Sequence, residues 1–398
     1  MTTERCASAA RQRDTPSARH TTHSVYEGDD AFADDGPLAA DWDALWRDCP
    51  GTSVFQHRGW LGAWWAAYGT PNNLRVVLVR EEGRLVAAAP LYLRKRGLLR
   101  VLTCVGTGIS DYGDVLIART GEGTLAQRRD RLAEGIAVLG FAVDLREVAS
   151  GSCAADLAEH WPHRVRTTPD SICLTVPAKP YDDLVTLLPK HTRSRVRAKT
   201  RKIDEAGLRA EPVARDQVRD GVHGLLRFHR AQWDGRGVNP EHLTTRFAEH
   251  LANAATALAA DDCARLIRYV LDGEIVGYNL LLSDSNSVSG YLAGVRPELR
   301  TRFDIAILLM RISLDEAAGR GASVFSMLRG VEPYKLRWRP EHLRNTRILL
   351  SAPGAGAPTA AMIAANAAGR RIMARTAKRV LSENMLKRMG AGAQRWSP

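Results

Sequence analysis

The sequence predicts a mixed α/β (α+β) fold in which two domains each hold a largely antiparallel sheet flanked by helices. Three observations support this prediction. The chain has 398 residues, which is too long for one ordinary hydrophobic core. Each half has its own set of β-rich runs and amphipathic helical segments. In each half, two β-rich runs flank a short turn that contains glycine, which predicts an antiparallel hairpin.

The first half begins with two helices and continues as a strand-rich unit. In the second helix, aromatic side chains recur at helical spacing, which favours packing into the core, with a binding surface as the alternative. The predicted order is helices near 42–46 and 55–68, strands 74–81, 85–93, 101–105 and 115–117, helix 125–139 and strand 142–148.

The second half opens with a basic helix and ends with a strand, a helix and another strand. The helix at 303–318 is apolar almost all round, so we expect it to be buried. A buried helix whose N-terminus faces the middle of a sheet is suited to hold a phosphate-bearing cofactor. The predicted order is helices 222–233 and 247–258, strands 264–271, 275–282 and 288–295, the buried helix, and strand 324–328.

The domain boundaries follow from composition. Residues 1–36 have few large apolar side chains, which predicts a disordered tail. Residues 37–178 then form an N-terminal domain and residues 179–352 a C-terminal domain with the chemistry. Residues 353–398 are predicted to form a basic helical tail.

Composition also limits the class of protein. The chain is 45% hydrophobic and 25% charged, as in soluble globular proteins, and no apolar run approaches the length of a membrane span. The first residues are polar and do not resemble a secretory signal, so we expect a cytoplasmic protein. The six cysteines lack the close Cys/His pairing of a metal site, so no metal is expected.

The net charge of +12 is concentrated in two segments. Residues 190–202 carry seven basic side chains and no acid, and residues 353–398 carry a net +7, so the remainder is slightly acidic. Such runs usually lie on a solvated face, but they also suit a polyanion or a membrane surface. We therefore expect any such contact through 190–202 and 370–388.

The stretch from Phe325 to Trp338 carries a family resemblance. Its Arg329-Gly330, followed by Glu332, Tyr334-Lys335 and Trp338, resembles the strand-end signature of the CelD-like (cellulose-biosynthesis acetyltransferase-like) branch of the GNAT superfamily. The similarity covers about residues 38–350, with further matches at 107–112, 188–189, 275–278 and 291–294. The resemblance implies tandem GNAT-like domains, acetyl-CoA or another acyl-CoA as donor, and distant kinship with the Fem peptidyltransferases, which use aminoacyl-tRNA.

The resemblance also indicates where a cofactor would bind. Where the family usually has a small-residue turn before the cofactor helix, this chain has Arg300-Thr301-Arg302-Phe303-Asp304. The arginines are suited to contact phosphates, and Asp304 is suited to be an ordinary helix N-cap. The candidate cofactor-binding residues are Gly294, Arg300, Arg302, Phe303 and Asp304.

Four residues are candidates for catalysis. Acyl transfer needs a base for the acceptor and an acid for the leaving thiolate, roles that suit Glu332 and Tyr334. Arg329 and Lys335 would then bind an acidic acceptor. The alternative is a structural network in which Arg329 pairs with Glu332.

Six further residues are candidates for binding substrate. His229 and Trp233 lie one helical turn apart, although a lone helical histidine is more often packed or solvated. Asp111 and Tyr112 lie on a glycine-rich loop, a type that is commonly only a turn. The set is Asp111, Tyr112, His229, Trp233, Tyr291 and Trp338.

The predicted function is therefore transfer of an acyl group from acyl-CoA to an amine or hydroxyl of a sugar, polysaccharide or envelope-precursor acceptor. The alternatives are an aminoacyl-tRNA-dependent Fem-like transferase and a non-catalytic binding protein with the same fold. The acceptor is a small molecule or a glycan.

Overall fold

A computed structural model describes residues 21–49, 51–96, 99–121, 123–233 and 239–351. These residues form one sheet that runs through both halves of the chain. Its strands are β1 Thr21–Tyr26, β2 Leu74–Glu81, β3 Arg84–Arg96, β4 Leu99–Cys104, β5 Leu116–Ile117, β6 Val143–Val148, β7 Val165–Pro177, β8 Arg209–Pro212, β9 Ala264–Leu271, β10 Glu274–Ser283, β11 Ser287–Val295, β12 Val324–Arg329 and β13 Glu341–Leu350.

Helices cover both faces of this sheet. They are α1 Ala39–Asp48, α2 Arg58–Tyr68, α3 Leu125–Val138, α4 Cys153–Glu159, α5 Tyr181–Thr186, α6 Lys190–Glu205, α7 Val218–Trp233, α8 Thr245–Ala260, α9 Leu299–Arg302, α10 Ile305–Gly319 and α11 Pro333–Leu336. Among the described residues, none of these helices has the length and apolar character needed to cross a bilayer.

The strand order is β1-β2-β3-β4-β6-β13-β7-β12-β11-β10-β9-β8, and β5 pairs with β3. In the described sheet the pairs β4–β6 and β11–β12 are parallel, and the other neighbours are antiparallel. The predicted mixed, largely antiparallel α/β fold is thus confirmed.

Each half sends its last strand into the sheet of the other. The strand β7 from the first half pairs with β12, and β13 from the second half lies between β6 and β7. Hydrogen bonding is therefore continuous past residue 178, and the domain boundary predicted there stays a prediction.

The predicted hairpins are confirmed. At the β2–β3 turn, Glu82 and Gly83 have φ of +50° and +84°, and at the β9–β10 turn Asp272 and Gly273 have φ of +53° and +81°. Two-residue turns with both residues in the left-handed region match the twist of antiparallel strands. Glycine adopts this conformation without a steric penalty, which explains the sequence signal.

The predicted disordered tail is wrong for the part that the structure describes. Residues 21–26 form β1 along β2, and Ala31 and Phe32 are buried. The β-branched and aromatic residues of β1, such as Val25 and Tyr26, favour a strand once a partner edge is present. Residues 1–20, and the predicted basic tail at 353–398, lie outside the described residues.

Alternation along β10 places α7 and α10 on opposite faces of the sheet. Leu280 and Leu282 belong to a large apolar cluster shared with α7, α2 and α8, whereas Leu281 belongs to a second cluster with α10. The aromatic stripe of α2, with Trp60, is buried in the first cluster, as core packing predicts.

Candidate functional site

The parallel strands β11 and β12 separate in the middle of the sheet. They pair only where residues 287–289 face residues 324–326. Beyond that point β11 pairs with β10, and β12 pairs with β7. The two strands therefore form a V, and their facing edges between 290–293 and 327–329 leave a gap.

Two backbone irregularities lie at this gap. In the β10–β11 ladder, Leu280 faces Leu292 and Leu281 faces Gly290, so Tyr291 is an extra, bulged residue. On the other strand, Leu328 has φ of +55°, which is rare for a residue with a branched side chain. Such distortions concentrate where a fold positions a functional group.

A cavity of about 810 Å³ opens at the gap. Its size lies in the range of pockets that hold small molecules and cofactors. Both faces of the sheet contribute to it, because α7 and α10 each supply lining residues. The lining includes Lys199, Lys202, His229, Gln232, Asn279, 290–293, 300–306, Leu309, Met310, Ser313, Phe325, Met327, Tyr334, Lys335 and Trp338.

Basic side chains surround the α10 end of the cavity. Lys199 and Lys202 come from α6, and Arg300 and Arg302 come from α9. The Arg302 guanidinium also lies over the Phe303 ring, 5.2 Å from its centroid. Clustered cations next to a helix N-terminus attract anions such as phosphates.

Asp304 occupies the N-cap position of α10. Among the described residues, its side chain forms no capping hydrogen bond, so the ordinary N-cap interpretation is wrong for its carboxylate. Its Oδ2 instead accepts hydrogen bonds from Lys199 Nζ at 2.6 Å and Arg337 Nη1 at 2.9 Å. Burial opposes ionisation, but these two cations hold the pKa of Asp304 below its usual range. The charge of the Asp304 carboxylate is therefore already balanced by two cations of the chain.

The segment 332–338 lies along the cavity. Lys335 is buried, and its Nζ donates to the Arg329 carbonyl at 2.7 Å and lies 3.0 Å from Glu332 Oε2. Tyr334 lines the cavity and remains 44% exposed, with a pKa raised to about 12 by burial and by nearby Glu332. Trp338 is buried against Tyr181, with ring centroids 5.9 Å apart.

Glu332 lies outside this lining. Its side chain is 49% exposed and pairs with Lys335, so the expected Arg329–Glu332 network does not form among the described residues. A half-exposed carboxylate beside a lysine is a poor candidate for the base that we predicted from sequence.

Arg329 instead links the two halves of the chain. Its guanidinium pairs with Asp111 and, at 3.2 Å, with Glu147 Oε1. Burial lowers the pKa of Arg329, but the two carboxylates outweigh it and raise the pKa overall. Asn345 Nδ2 adds a hydrogen bond to the Asp111 carbonyl at 3.0 Å. Arg329 and Asp111 thus form an ion pair with each other, and both lie outside the described lining of the cavity.

Tyr112 and Tyr291 lie beside this link. The Tyr112 hydroxyl is 3.3 Å from Ser326 Oγ on β12. The Tyr291 ring packs edge-on against Trp60 at 5.2 Å and lines the cavity. The first-half loop therefore contacts β12, but Tyr112 is absent from the described lining, and its contact with substrate stays a prediction. Tyr291 borders the gap.

On α7, His229 is 6% exposed and lines the cavity, and its Nδ1 lies 3.0 Å from the Ala293 carbonyl. Burial lowers its pKa. Gly294 is absent from the described lining, and a side chain there would collide with the α7 backbone at Leu225 and His229. Its role is close packing, which corrects its predicted contact with cofactor. The side chain of Trp233 lies outside the described residues.

Two residues near the cavity were not predicted from the sequence. Gln232 lines the cavity, and its Oε1 accepts a hydrogen bond from Val295 N at 2.9 Å. Its position three residues after His229 on α7 was a usable signal. His242 lies 3.4 Å from His229 but is absent from the described lining, and its short turn has no periodicity and gave no such signal.

Comparisons with known proteins agree with this geometry. Residues 190–336 match the family model of the acetyltransferase (GNAT) domain, and no curated protein matches the chain. FemX is 13% identical with a TM-score of 0.55, covering 78% of this chain and 95% of FemX. L-PGS from Bacillus licheniformis is 13% identical with a TM-score of 0.50, covering 83% of this chain and 96% of that one.

A conserved protein of unknown function from Bacteroides thetaiotaomicron VPI-5482 is also similar. It is 13% identical with a TM-score of 0.53, and 80% of this chain and 96% of that chain are covered. At such identities the likeness shows the fold alone. Residues 190–336, in the second half of the chain, thus match a GNAT domain model, and the solved structures agree with this fold.

Proposed function

We propose that this chain is a CelD-like acyltransferase. It would move an acetyl or other acyl group from acyl-CoA to an amine or hydroxyl of a sugar, polysaccharide or envelope-precursor acceptor. The observation that carries the proposal is the V between β11 and β12, which opens into a cavity with a basic mouth.

The cavity suits the shape and charge of CoA. The pyrophosphate would lie at the α10 end, among Lys199, Lys202, Arg300 and Arg302. The extended pantetheine arm carries amides, and the edge of β11 at 290–293 offers backbone groups that β12 does not pair. The thioester would then lie at the gap, next to Tyr291 and Met327.

The transfer itself requires two proton movements, because the acceptor N–H or O–H loses a proton to solvent and the leaving thiolate gains one. The acceptor nitrogen or oxygen attacks the thioester carbonyl, the new acyl bond forms, and the C–S bond breaks with its electron pair on sulfur. We assign Tyr334 as the group that protonates the thiolate, because it lines the cavity and its raised pKa keeps the phenol protonated at neutral pH. The phenolate recovers its proton from solvent.

Titration calorimetry with CoA and acetyl-CoA tests the donor. We expect binding that weakens with salt, and a roughly tenfold loss for Lys202→Ala or Arg302→Ala, since a charge-assisted hydrogen bond contributes about 1.5–3 kcal/mol. Arg131→Ala is the matched control, because Arg131 is an exposed arginine of α3 in the first half. Absence of binding to the wild-type protein would reject acyl-CoA as donor.

A second candidate is a Fem-like transferase whose donor is aminoacyl-tRNA. Two observations favour it: Asp304 occupies the α10 N-terminus with its own cations, and α6 extends from the mouth with only Val196 and Ile203 buried among its described residues. Its exposed basic side chains suit a polyanion. If tRNA binds tightly and CoA does not compete, this candidate replaces the first. CoA binding without turnover would indicate a binding protein.

A further inference from the structure

The cavity continues sideways from the gap, underneath β11. Asn279 of β10 faces Ala293 of β11 in the ladder, and directly paired residues of antiparallel strands point to the same face of a sheet. That face is the one covered by α10, because Asn279 Nδ2 donates a hydrogen bond to Ser313 Oγ of α10 at 3.1 Å. Asn279, Ala293 and Ser313 all line the cavity. The cavity therefore extends from the gap to β10, a shift of one strand, ~5 Å.

Small residues of β11 leave this space open. Gly290 and Ala293 both line it. A Cβ atom at Gly290 would lie 3.3 Å from the ring of Phe325, which packs in the same apolar cluster as α10. On α10, the lining residues recur at the spacing of one helix face: Ala306, Leu309, Met310 and Ser313. The space is thus a channel with apolar walls between β11 and two turns of α10.

Asn279 and Ser313 form a polar pair in the wall of this channel, and each is 3% exposed. Because Asn279 Nδ2 donates to Ser313 Oγ, the pair still has one acceptor, Asn279 Oδ1, and one donor, the Ser313 hydroxyl. Among the described residues, neither of these groups has a hydrogen-bond partner. The Tyr269 hydroxyl is near enough for the Asn279 amide to oppose the rise of its pKa on burial, but the two do not reach the geometry of a hydrogen bond. A buried donor and acceptor without partners are costly unless a ligand or a water satisfies them.

The charges of the cavity lie elsewhere. In the described lining, charged side chains come from α6, from residues 300–304 and from α11, whereas β10, β11, β12 and α10 supply only uncharged ones. A carboxylate or an ammonium group next to Asn279 and Ser313 would therefore be buried without a counter-charge. A neutral hydroxyl donates once and accepts once, which matches the pair.

We infer that this channel is the subsite for the acyl group of the donor and that it selects a short acyl chain with a hydroxyl. The inference rests on the proposed function, which has the thioester next to Tyr291 and Met327. From there the acyl chain passes beneath β11, and its hydroxyl donates to Asn279 Oδ1 and accepts from the Ser313 hydroxyl. An acetyl group ends one carbon beyond the thioester carbonyl, so it leaves the pair without a partner.

Titration calorimetry with both enantiomers of 3-hydroxybutyryl-CoA and with butyryl-CoA tests the selection, because these donors differ only in the hydroxyl. We expect the better enantiomer to bind roughly tenfold more tightly than butyryl-CoA, since butyryl leaves a buried donor and acceptor unpaired. Acetyl-CoA should be weaker than that enantiomer by a similar factor. Equal affinities for the hydroxybutyryl and butyryl thioesters would overturn the inference.

Removal of the polar pair should abolish the preference. In the double variant Asn279→Leu with Ser313→Ala, both polar groups are gone, so butyryl-CoA should bind at least as tightly as 3-hydroxybutyryl-CoA. Ser313→Ala alone is the milder change and should reduce the preference to less than about threefold. Ser283→Ala is the matched control, because Ser283 is a buried serine of β10 outside the described lining, and it should keep the full preference.

Affinity for CoA itself checks that these variants keep the fold and the basic mouth. It should stay within about twofold of wild type, since the acyl subsite does not touch the phosphates. Preference for the hydroxyl in either channel variant, at wild-type strength and with a normal melting temperature, would overturn the inference.

Failure of the donor proposal gives a different result. If the wild-type protein binds neither CoA nor any of these thioesters, acyl-CoA is the wrong donor. NMR of asparagine-labelled protein then tests the channel with 1-butanol, which has a short apolar chain and a hydroxyl but no phosphate. We expect the side-chain amide signal of Asn279, identified by its loss in Asn279→Leu, to shift until the channel is saturated. An unchanged signal would overturn the inference.

Discussion

The two halves of the chain use the same local topology in different ways. In each half a helix connects two parallel strands, β4–α3–β6 in the first and β11–α10–β12 in the second. In the first half, Thr103 Oγ1 closes the space between the strands by donating to the Asp144 carbonyl at 2.8 Å. The strands of both halves separate beyond a short paired stretch, but in the second half a cavity opens between them.

The N-termini of α3 and α10 also differ between the two halves. Thr124 caps α3 in a capping box with Gln127, so the backbone N–H groups of these two residues are satisfied within the chain. At α10, Asp304 forms no such cap among the described residues and instead holds Lys199 and Arg337 at the cavity mouth. Among the described residues, the shared topology therefore forms a candidate site only in the second half, where charged side chains lie at the mouth of a cavity.

The largest expected effect concerns the closed half. Arg347 of β13 forms a bidentate pair with Asp144, at 2.6 and 2.8 Å, and both side chains are buried. Arg347→Met removes the cation and leaves a buried carboxylate, so we expect a loss of about 3–5 kcal/mol in the free energy of unfolding. Denaturant unfolding measures it.

The control is Arg131→Met, which removes an exposed pair with Glu134 and should cost less than about 1 kcal/mol. A similar small loss for Arg347→Met would show that the pair between β6 and β13 does not hold the halves together.

The next effect concerns the contact between halves. His250 of α8 is fully buried, packs edge-on against Trp60 of α2 at 4.7 Å, and has a pKa lowered to about 4 by burial. The unfolded chain therefore binds more protons between about pH 4 and 6.5, and stability falls as the pH falls through that window. The loss from pH 7 to pH 5 should be roughly 2 kcal/mol for this one group.

Denaturant midpoints at both pH values check this expectation. His250→Phe should reduce the pH dependence by about that amount, whereas substitution of exposed His160 should not change it. An unchanged pH dependence in His250→Phe would contradict the assignment.

The smallest effect compares the two helix N-termini directly. Asp304→Asn removes a carboxylate from the cavity mouth and releases Lys199 and Arg337, so we expect CoA to bind roughly tenfold more tightly, about 1.4 kcal/mol. Thr124→Ala removes the α3 cap and should cost about 1 kcal/mol of stability without changing CoA affinity. Weaker CoA binding to Asp304→Asn would mean that the carboxylate organises the site.

The sequence predicted much of this fold because apolar periodicity was strong. Strands 74–81 and 264–271 have the predicted bounds, and the buried helix begins at Ile305, within two residues of its prediction. The strands β7 and β13 were missed, because Asp170, Asn345 and Arg347 interrupt their apolar pattern with polar side chains that pair inside the sheet.

The site was predictable only where residues lie close in sequence. The cluster 300–304 was located at the cavity mouth through its position before the helix. Arg329 and Asp111 are 218 residues apart, so their pairing depends on the exchanged strands and left no local signal. The same holds for His242, which reaches His229 only through the folding of a turn.

We expect the donor to bind in the second half and not in the equivalent space of the first half, which Thr103 closes. Hydrogen–deuterium exchange with and without CoA tests it most directly. We expect slower exchange at 290–293, 304–306 and 327–329 on addition of CoA, with no change at 102–107 and 124–127. Protection of the first-half segments, or no protection anywhere at saturating CoA, would contradict it.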